Sequence, residues 1–278
     1  MADKDGPAQP PGETTQFIEK MDGLLLGWEQ PAARLRAALA HDHFRLYAQP
    51  IVVLADPGGV AMAEVLVRLR EEGNAEAARM LPPGDFLPAF EHYRMMGELD
   101  RWVVRNALRK LGGGGSVAAI SVNVSAESIE DPGFAPFVAM QLRLAALDPA
   151  ALVIEIDESD ALDRPAAAGR FAAAMKGIGC RLMLDGFARR SVSFDVLKAL
   201  PLAFIKVEGA LIRKITRSGG AVAKLKAILR AGELTGLGVV AECVEDDKVL
   251  AALKLLKVGY AQGFGVGKPQ PMDDLFKN

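Results

Sequence analysis

Residues 151–187, ALVIEIDESDALDRPAAAGRFAAAMKGIGCRLMLDGF, decide the fold. ALVIEIDES is a short apolar run of strand type, Pro165 to Gly177 carries a helical pattern, and RLMLDGF is apolar and strand-like again. A strand, a helix and a second strand in succession form the unit from which parallel sheets are built.

Working outward, the same alternation recurs from Phe44 onward. Strand-type runs stand at FRLYAQPIVVL (44–54), AMAEVLVRL (61–69), SVAAISVNVS (116–125), AFIKVE (203–208), GVVAECVE (238–245) and YAQGFGV (260–266), making eight with the two above. Helical patterns separate them at 85–111, 134–147, 192–200, 221–234 and 246–256, with Gly or Pro at many junctions. Eight such units predict an α/β fold, a modified TIM-type (β/α)8 barrel, with a doubly wound open sheet as the alternative. GGGGS at 112–116 leads into a strand and not out of one, so it reads as a connection and not as a phosphate-binding loop.

The 278 residues, half of them apolar and 24% charged, supply a packed core for one large domain. Residues 1–15 are rich in Pro, Gly and charge and are expected to form a disordered tail. Residues 16–40 read as a helical segment broken near Pro31, and 41–278 as the barrel domain. Basic and acidic residues nearly cancel, 33 against 35, and no basic block tracks a phosphate backbone, which argues against long nucleic acid as a ligand. Cys180 and Cys243 lack disulfide or zinc spacing and read as buried thiols. No leader-like segment or long uncharged apolar window is present, so the expected location is cytoplasmic.

Several strand-type runs carry one polar residue, many near the carboxyl end: Glu64, Asn123, Glu155, Asp185, Lys206, Glu242 and Gln262. In a barrel such positions surround one site. Clustered carboxylates repel unless neutralised, and oxygen donors with a neutral Asn among them suit Mg²⁺ or Mn²⁺. Taken singly, each of these residues reads better as a local cap or pair. Repeated over so many apolar strands, the pattern points to a site. The three histidines lie outside these runs, and no GxSxG nucleophile is present.

In order along the chain, Gln49–Pro50, EVLVR, Phe86–Pro88, ELDRWV, SVNVS, EIDES, LMLDGF, Leu200–Pro201, IKVE, VVAECVE and YAQGFGVGKPQP resemble the EAL domain family from about Leu35 to Pro271. Such domains are modified barrels that bind cyclic di-GMP and, in active members, hydrolyse it to the linear dinucleotide. The resemblance implies one Mg²⁺ or Mn²⁺ held by Glu64, Asn123, Glu155 and Asp185. It also implies ligand contacts from Gln49, Glu64, Leu66, Arg68, Asn123, Asp185 and Lys206. In an active member Lys206 would orient the attacking water and Glu242 would help hold a second metal, with Glu158, Glu245 and Gln262 in support.

Active members read DDFGTGYSSL where this chain reads DGFARRSVSF at 185–194. Gly186 replaces the second aspartate, and Ala188 and Arg190 replace the two glycines of the turn. A second metal therefore lacks its ligand, and two-metal hydrolysis needs both ions. Losing about 4 kcal/mol of transition-state stabilisation slows turnover roughly a thousandfold. The resemblance thus implies a cyclic di-GMP receptor impaired in hydrolysis that signals through a protein partner. The alternatives are a working or slow phosphodiesterase and a protein-interaction module that has lost the nucleotide, with Arg189, Arg190 and the stretch Phe17 to Leu26 as partner surfaces. Family members often dimerise through barrel helices, which makes a homodimer an expectation as well.

Overall fold

A computed structural model describes residues 30–41, 43–56, 59–70, 80–114, 117–189 and 194–275. The expected tail, the segment 16–29, residues 115–116 of the Gly-rich run and residues 190–193 of the altered loop, Arg190 among them, lie outside the described residues. What is described of the N-terminal segment is helix α1, Pro31–Ala40, which buries Leu35 and Ala38.

Strands β1 (Phe44–Val53) and β2 (Val60–Arg70) form a long antiparallel hairpin. After β3 (Met80–Leu81) come helices α2 (Pro83–His92) and α3 (Met96–Gly112). The chain continues through β4 (Ile120–Val124), α4 (Ala126–Glu130), α5 (Phe134–Leu144), β5 (Leu152–Asp157), α6 (Glu158–Asp163), α7 (Pro165–Ile178) and β6 (Arg181–Phe187). It ends with α8 (Asp195–Ala199), β7 (Phe204–Val207), α9 (Gly209–Ile212), α10 (Gly219–Thr235), β8 (Gly238–Ala241), α11 (Asp247–Leu255), β9 (Tyr260–Ala261), β10 (Gln270–Pro271) and α12 (Met272–Leu275).

The ring runs β1-β9-β8-β7-β6-β5-β4-β2 and closes through the β1–β2 pairing, giving an eight-stranded barrel. All eight strand-type runs of the sequence lie in it. One expectation is corrected: the sheet is not wholly parallel, because β1 runs antiparallel to both β2 and β9. A parallel neighbour needs a crossover of a dozen or more residues, and only residues 54–59 separate β1 from β2. The two short strands β3 and β10 flank the ring on β2 and β1.

The helical pattern at 85–111 also resolves into two helices. Arg94 adopts φ +51°, and Met95 N–H donates to Phe90 O at 2.8 Å, a left-handed stop that reverses the chain before α3. Elsewhere the punctuation is legible in the residues. Ser218 caps α10 by accepting from Ala221 N–H at 3.2 Å, and Gly236 at φ +72° ends it; Asp246 caps α11 through Val249 N–H at 2.8 Å. Pro165 opens α7 and Gly179 at φ +102° closes it.

Inside the ring, Ile51, Met62, Ala119, Val153, Met183, Phe204 and Val240 form a separate buried cluster from six strands and the residue that leads into β4. Side chains on a strand return to the same face every second residue. One step further along the parallel strands therefore stand Glu64, Ser121, Glu155, Asp185, Lys206 and Glu242. On antiparallel β1 the equivalent step is backwards, to Gln49. The apolar plug is the floor, and a polar layer sits directly on it at the carboxyl ends of the parallel strands. Cys180 is buried as expected, but Cys243 is only half-buried, at φ +54° beyond β8, where the chain bends away from the barrel wall.

Candidate functional site

The polar layer converges on Lys206. Its side chain is 1% exposed, and its ammonium is ion-paired with Glu155, with Glu64 Oε2 at 3.2 Å and with Asp185 Oδ1 at 3.7 Å. Glu64 is held from three sides: Asn123 Nδ2 donates to Oε1 at 2.8 Å and Gln262 Nε2 to Oε2 at 2.6 Å, with Lys206 completing the shell. Gln49, facing Glu64 across the hairpin, donates through Nε2 to Gly267 O at 2.9 Å, while Gln262 Nε2 lies 3.5 Å from Gln49 Oε1. Residues from six strands and two loops thus form one network.

Its electrostatics follow from crowding in a dry place. Burial pushes the Glu155 carboxyl up to about 8, and Glu64 beside it adds to the rise while Lys206 opposes it. Burial and then Asp185 drive Glu242 up to about 9. For Glu64 burial also acts upward, but Lys206 and the bonds from Gln262 and Asn123 outweigh it, so this carboxyl is held below its ordinary value. Burial alone would lower the Lys206 ammonium, yet Glu155, Glu64, Asp185 and Glu242 together raise it well above the usual lysine range. Lys206 is thus the cation that offsets the crowded acids, while burial and mutual repulsion hold the Glu155 and Glu242 carboxyls upward.

Two buried carboxylate oxygens, Glu155 Oε1 and Asp185 Oδ1, have no hydrogen-bond partner, nor does the Ser121 hydroxyl. Every donor atom of the layer is a hard oxygen or an amide, the chemistry of Mg²⁺ or Mn²⁺. Among the described residues no three carboxylate, imidazole or thiol side chains form a ready-made cage, because Lys206 stands among the acids and draws them onto itself. The donor set of Glu64, Asn123, Glu155 and Asp185 fits one divalent ion. Position 186, a glycine, adds no side-chain donor to this set.

The remaining expected residues are less central. Leu66 and Arg68 continue the inward face of β2 beyond Glu64; Arg68 is half-buried, donates to Val67 O at 3.0 Å and lies 5.6 Å from the Tyr47 ring centroid. Glu158 accepts from Ala188 N–H at 3.3 Å and so ties the loop after β6 to α6. Glu245 is exposed on the surface, outside the network around Lys206.

Asp157 and Asp100, which the sequence reading does not single out, and Arg189, which it offers to a partner, shape the mouth. Asp157 Oδ1 caps α6 through Ser159 N–H at 2.7 Å, and its Oδ2 accepts from Arg189 Nη1 at 2.7 Å. Arg189 Nε reaches Glu208 Oε2 at 2.8 Å. Asp100, buried in α3, accepts through Oδ2 from Ser125 N–H, Ser125 Oγ and Ser128 Oγ at 2.8, 2.6 and 2.7 Å, fixing the turn that follows Asn123. The ELDRWV motif contained Asp100, but only its burial reveals the role. Arg189, expected at a partner surface, is anchored to the acids Asp157 and Glu208 at the ends of the barrel strands.

The EAL domain family model matches residues 32–269. Among characterised relatives, the cyclic di-GMP phosphodiesterase PdeB of Shewanella oneidensis is 28% identical over 244 residues, 87% of this chain and 28% of that protein. The cyclic di-GMP phosphodiesterase PdeF of Escherichia coli is likewise 28% identical over 244 residues, covering 87% of this chain and 32% of its own length. The chain therefore spans about a third of the length of these curated relatives. Among solved structures, the PaMucR phosphodiesterase in complex with c-di-GMP superposes with a TM-score of 0.80 at 28% identity, covering 89% of this chain and 100% of that one. The FimX EAL domain of Pseudomonas aeruginosa bound to c-di-GMP gives 0.78 at 28% identity, covering 87% and 96%. No helix among the described residues is long and apolar enough to cross a membrane.

Proposed function

The chain belongs to the EAL domain family, and from that premise we propose that it is a cyclic di-GMP receptor impaired in hydrolysis, which passes the signal to a protein partner. The observation that carries the reading is the contrast between two adjacent positions on β6: Asp185 faces the intact polar layer, while Gly186, at φ +68°, has no side chain to hold a second ion. Support for nucleotide binding comes from relatives whose solved complexes contain c-di-GMP at matching folds.

In this reading Glu64, Asn123, Glu155 and Asp185 would hold one Mg²⁺ or Mn²⁺. When bound, that ion would offset the negative charge of the acids and attract a phosphodiester oxygen. The chain's own residues do the rest. Gln49, Leu66 and Arg68 line the nucleotide's approach along β1 and β2, and the Arg68 guanidinium suits a phosphate because it offers paired donors. Lys206 keeps the Glu64 carboxylate ionised and in place. Glu158 holds the backbone of the loop after β6.

The retention of Lys206 and of Glu242 favours a second reading, a slow phosphodiesterase. Calorimetric titration separates the proposals. Cyclic di-GMP with Mn²⁺ should bind with one-to-one saturation and weaken at least tenfold in Glu64→Gln, with no heat of turnover. Absence of any binding heat would reject nucleotide recognition and leave a protein-only module.

A further inference from the structure

Arg189 is a charged side chain over the barrel mouth for which the receptor reading has given no part, and the geometry points to one: we infer that its guanidinium is a built-in cation standing in the place of the second divalent ion. The inference rests on the reading of the site as a cyclic di-GMP pocket and refines it to a one-cation pocket.

Three observations carry it. First, the guanidinium overlaps the space of the missing side chain. A Cβ at position 186 would stand 2.4 Å from Arg189 Nη2 and 2.6 Å from Cζ, closer than non-bonded atoms approach. Glycine is thus the residue that lets the arginine lie there, and it also takes φ +68° at little cost.

Second, the arginine consumes the surrounding acids. Asp157 ends β5 and is paired in register with Asp185 on β6, and Glu208 directly follows β7, the strand on the other side of β6. Nη1 to Asp157 at 2.7 Å and Nε to Glu208 at 2.8 Å make the guanidinium straddle β6 just beyond Asp185. The guanidinium carries its donors in a rigid planar fork, so two of them can hold the two carboxylates at once. A divalent ion arriving there would meet a fixed positive charge and acids that are already paired.

Third, the backbone that presents Arg189 is fixed. Arg189 N–H donates to Gly186 O at 3.1 Å, Ala188 N–H to Glu158 at 3.3 Å, and Lys224 Nζ to Ala188 O at 3.3 Å. Ala188 is held at φ +74°, a conformation that a free alanine avoids. The loss of the acid at 186 and the gain of the arginine at 189 therefore read as one coupled change, with the charge of an exchangeable ion replaced by a covalently attached one.

The test counts bound Mn²⁺ by electron paramagnetic resonance after equilibrium dialysis, with and without saturating cyclic di-GMP, for the wild type, Gly186→Asp, Arg189→Ala and the double variant. The wild type and Gly186→Asp should hold one equivalent, and the double variant two. Melting temperatures of the same four proteins, which need no ligand, give the coupling. The shifts of Gly186→Asp and Arg189→Ala should not add, because an aspartate at 186 makes the guanidinium move and offers it a new carboxylate partner; the double variant should depart from the sum by about 2–4 °C. Two equivalents in the wild type, a second equivalent in Gly186→Asp alone, one equivalent in a folded double variant, or additive melting shifts would each overturn the role of Arg189. A wild type that holds one Mn²⁺ and shows thermal coupling but retains no nucleotide would support Arg189 as the resident cation while sinking the receptor reading.

Discussion

Replacing Lys206 by methionine removes the positive charge from the centre of the polar layer while keeping much of its volume. The ammonium is ion-paired with Glu155, which is fully buried, and lies 3.2 Å from Glu64 Oε2. Taking away one partner of a buried ion pair costs about 3–5 kcal/mol, because the other charge stays in a dry environment. At about 2–4 °C per kcal/mol for a large domain, the midpoint should fall by about 6–20 °C. The pH dependence follows from the acids. Without Lys206, Glu64 can escape ionisation only by taking up a proton, so the loss should be smaller at pH 5 and larger at pH 9. Glu155, raised to about 8 even with the lysine present, adds a second acid that resists ionisation in the same alkaline range. Circular-dichroism melts in metal-free buffer at both pH values measure this, and Lys206→Met combined with Glu64→Gln should recover part of the loss. A single variant that melts within about 2 °C of the wild type at pH 9 would refute the view that Lys206 neutralises these acids.

Asp100 supplies a pH signature away from the site. Burial raises its carboxyl from 3.8 to about 6, with the Ser125 and Ser128 bonds opposing. The folded state then binds this proton more tightly than the unfolded chain, so its stabilising contribution is full below about pH 4, declines through the interval and is gone above about pH 6. The span is about 3 kcal/mol, and Asp100→Asn should flatten that part of the stability profile in denaturant titrations. Gly263→Ala should cost about 3 kcal/mol, since a Cβ at φ +153° would meet the Val244 backbone at 2.2–2.7 Å, and it should weaken nucleotide binding by displacing Gln262. Gly169→Ala, inside α7 with open space around it, should instead stabilise by about 0.5–1 kcal/mol in the same melts.

The barrel was legible because its strands are apolar on both faces and its helices carry caps and stops. Each strand-type run could be read from a few adjacent residues, and Pro165, Ser218 and Asp246 mark helix starts by chemistry that needs no tertiary context. The polar layer was legible for a related reason: a Glu or Lys inside an apolar run is conspicuous. The antiparallel setting of β1 was harder to read. It follows from the shortness of the link to β2, visible as the gap between residues 54 and 61, which the expectation of a regular strand–helix repeat overrode. Arg94 is a similar case, for nothing in TyrArgMet announces a left-handed residue. Arg189, Asp157 and Glu208 were opaque for another reason. They are separated along the chain by whole strands and helices, and each is ordinary as a surface charge. Their pairing emerges only when β5, β6 and β7 lie side by side. Glu245 shows the converse, since a motif position can match while its side chain stays outside the network.

The most direct test of the account is equilibrium dialysis of the protein against cyclic di-GMP with Mg²⁺ or Mn²⁺, followed by chromatography of the retained nucleotide. The account predicts that intact cyclic di-GMP is retained at one equivalent and stays intact over hours. Conversion to the linear dinucleotide, abolished by Glu64→Ala, would contradict it and show that hydrolysis proceeds without a carboxylate at position 186.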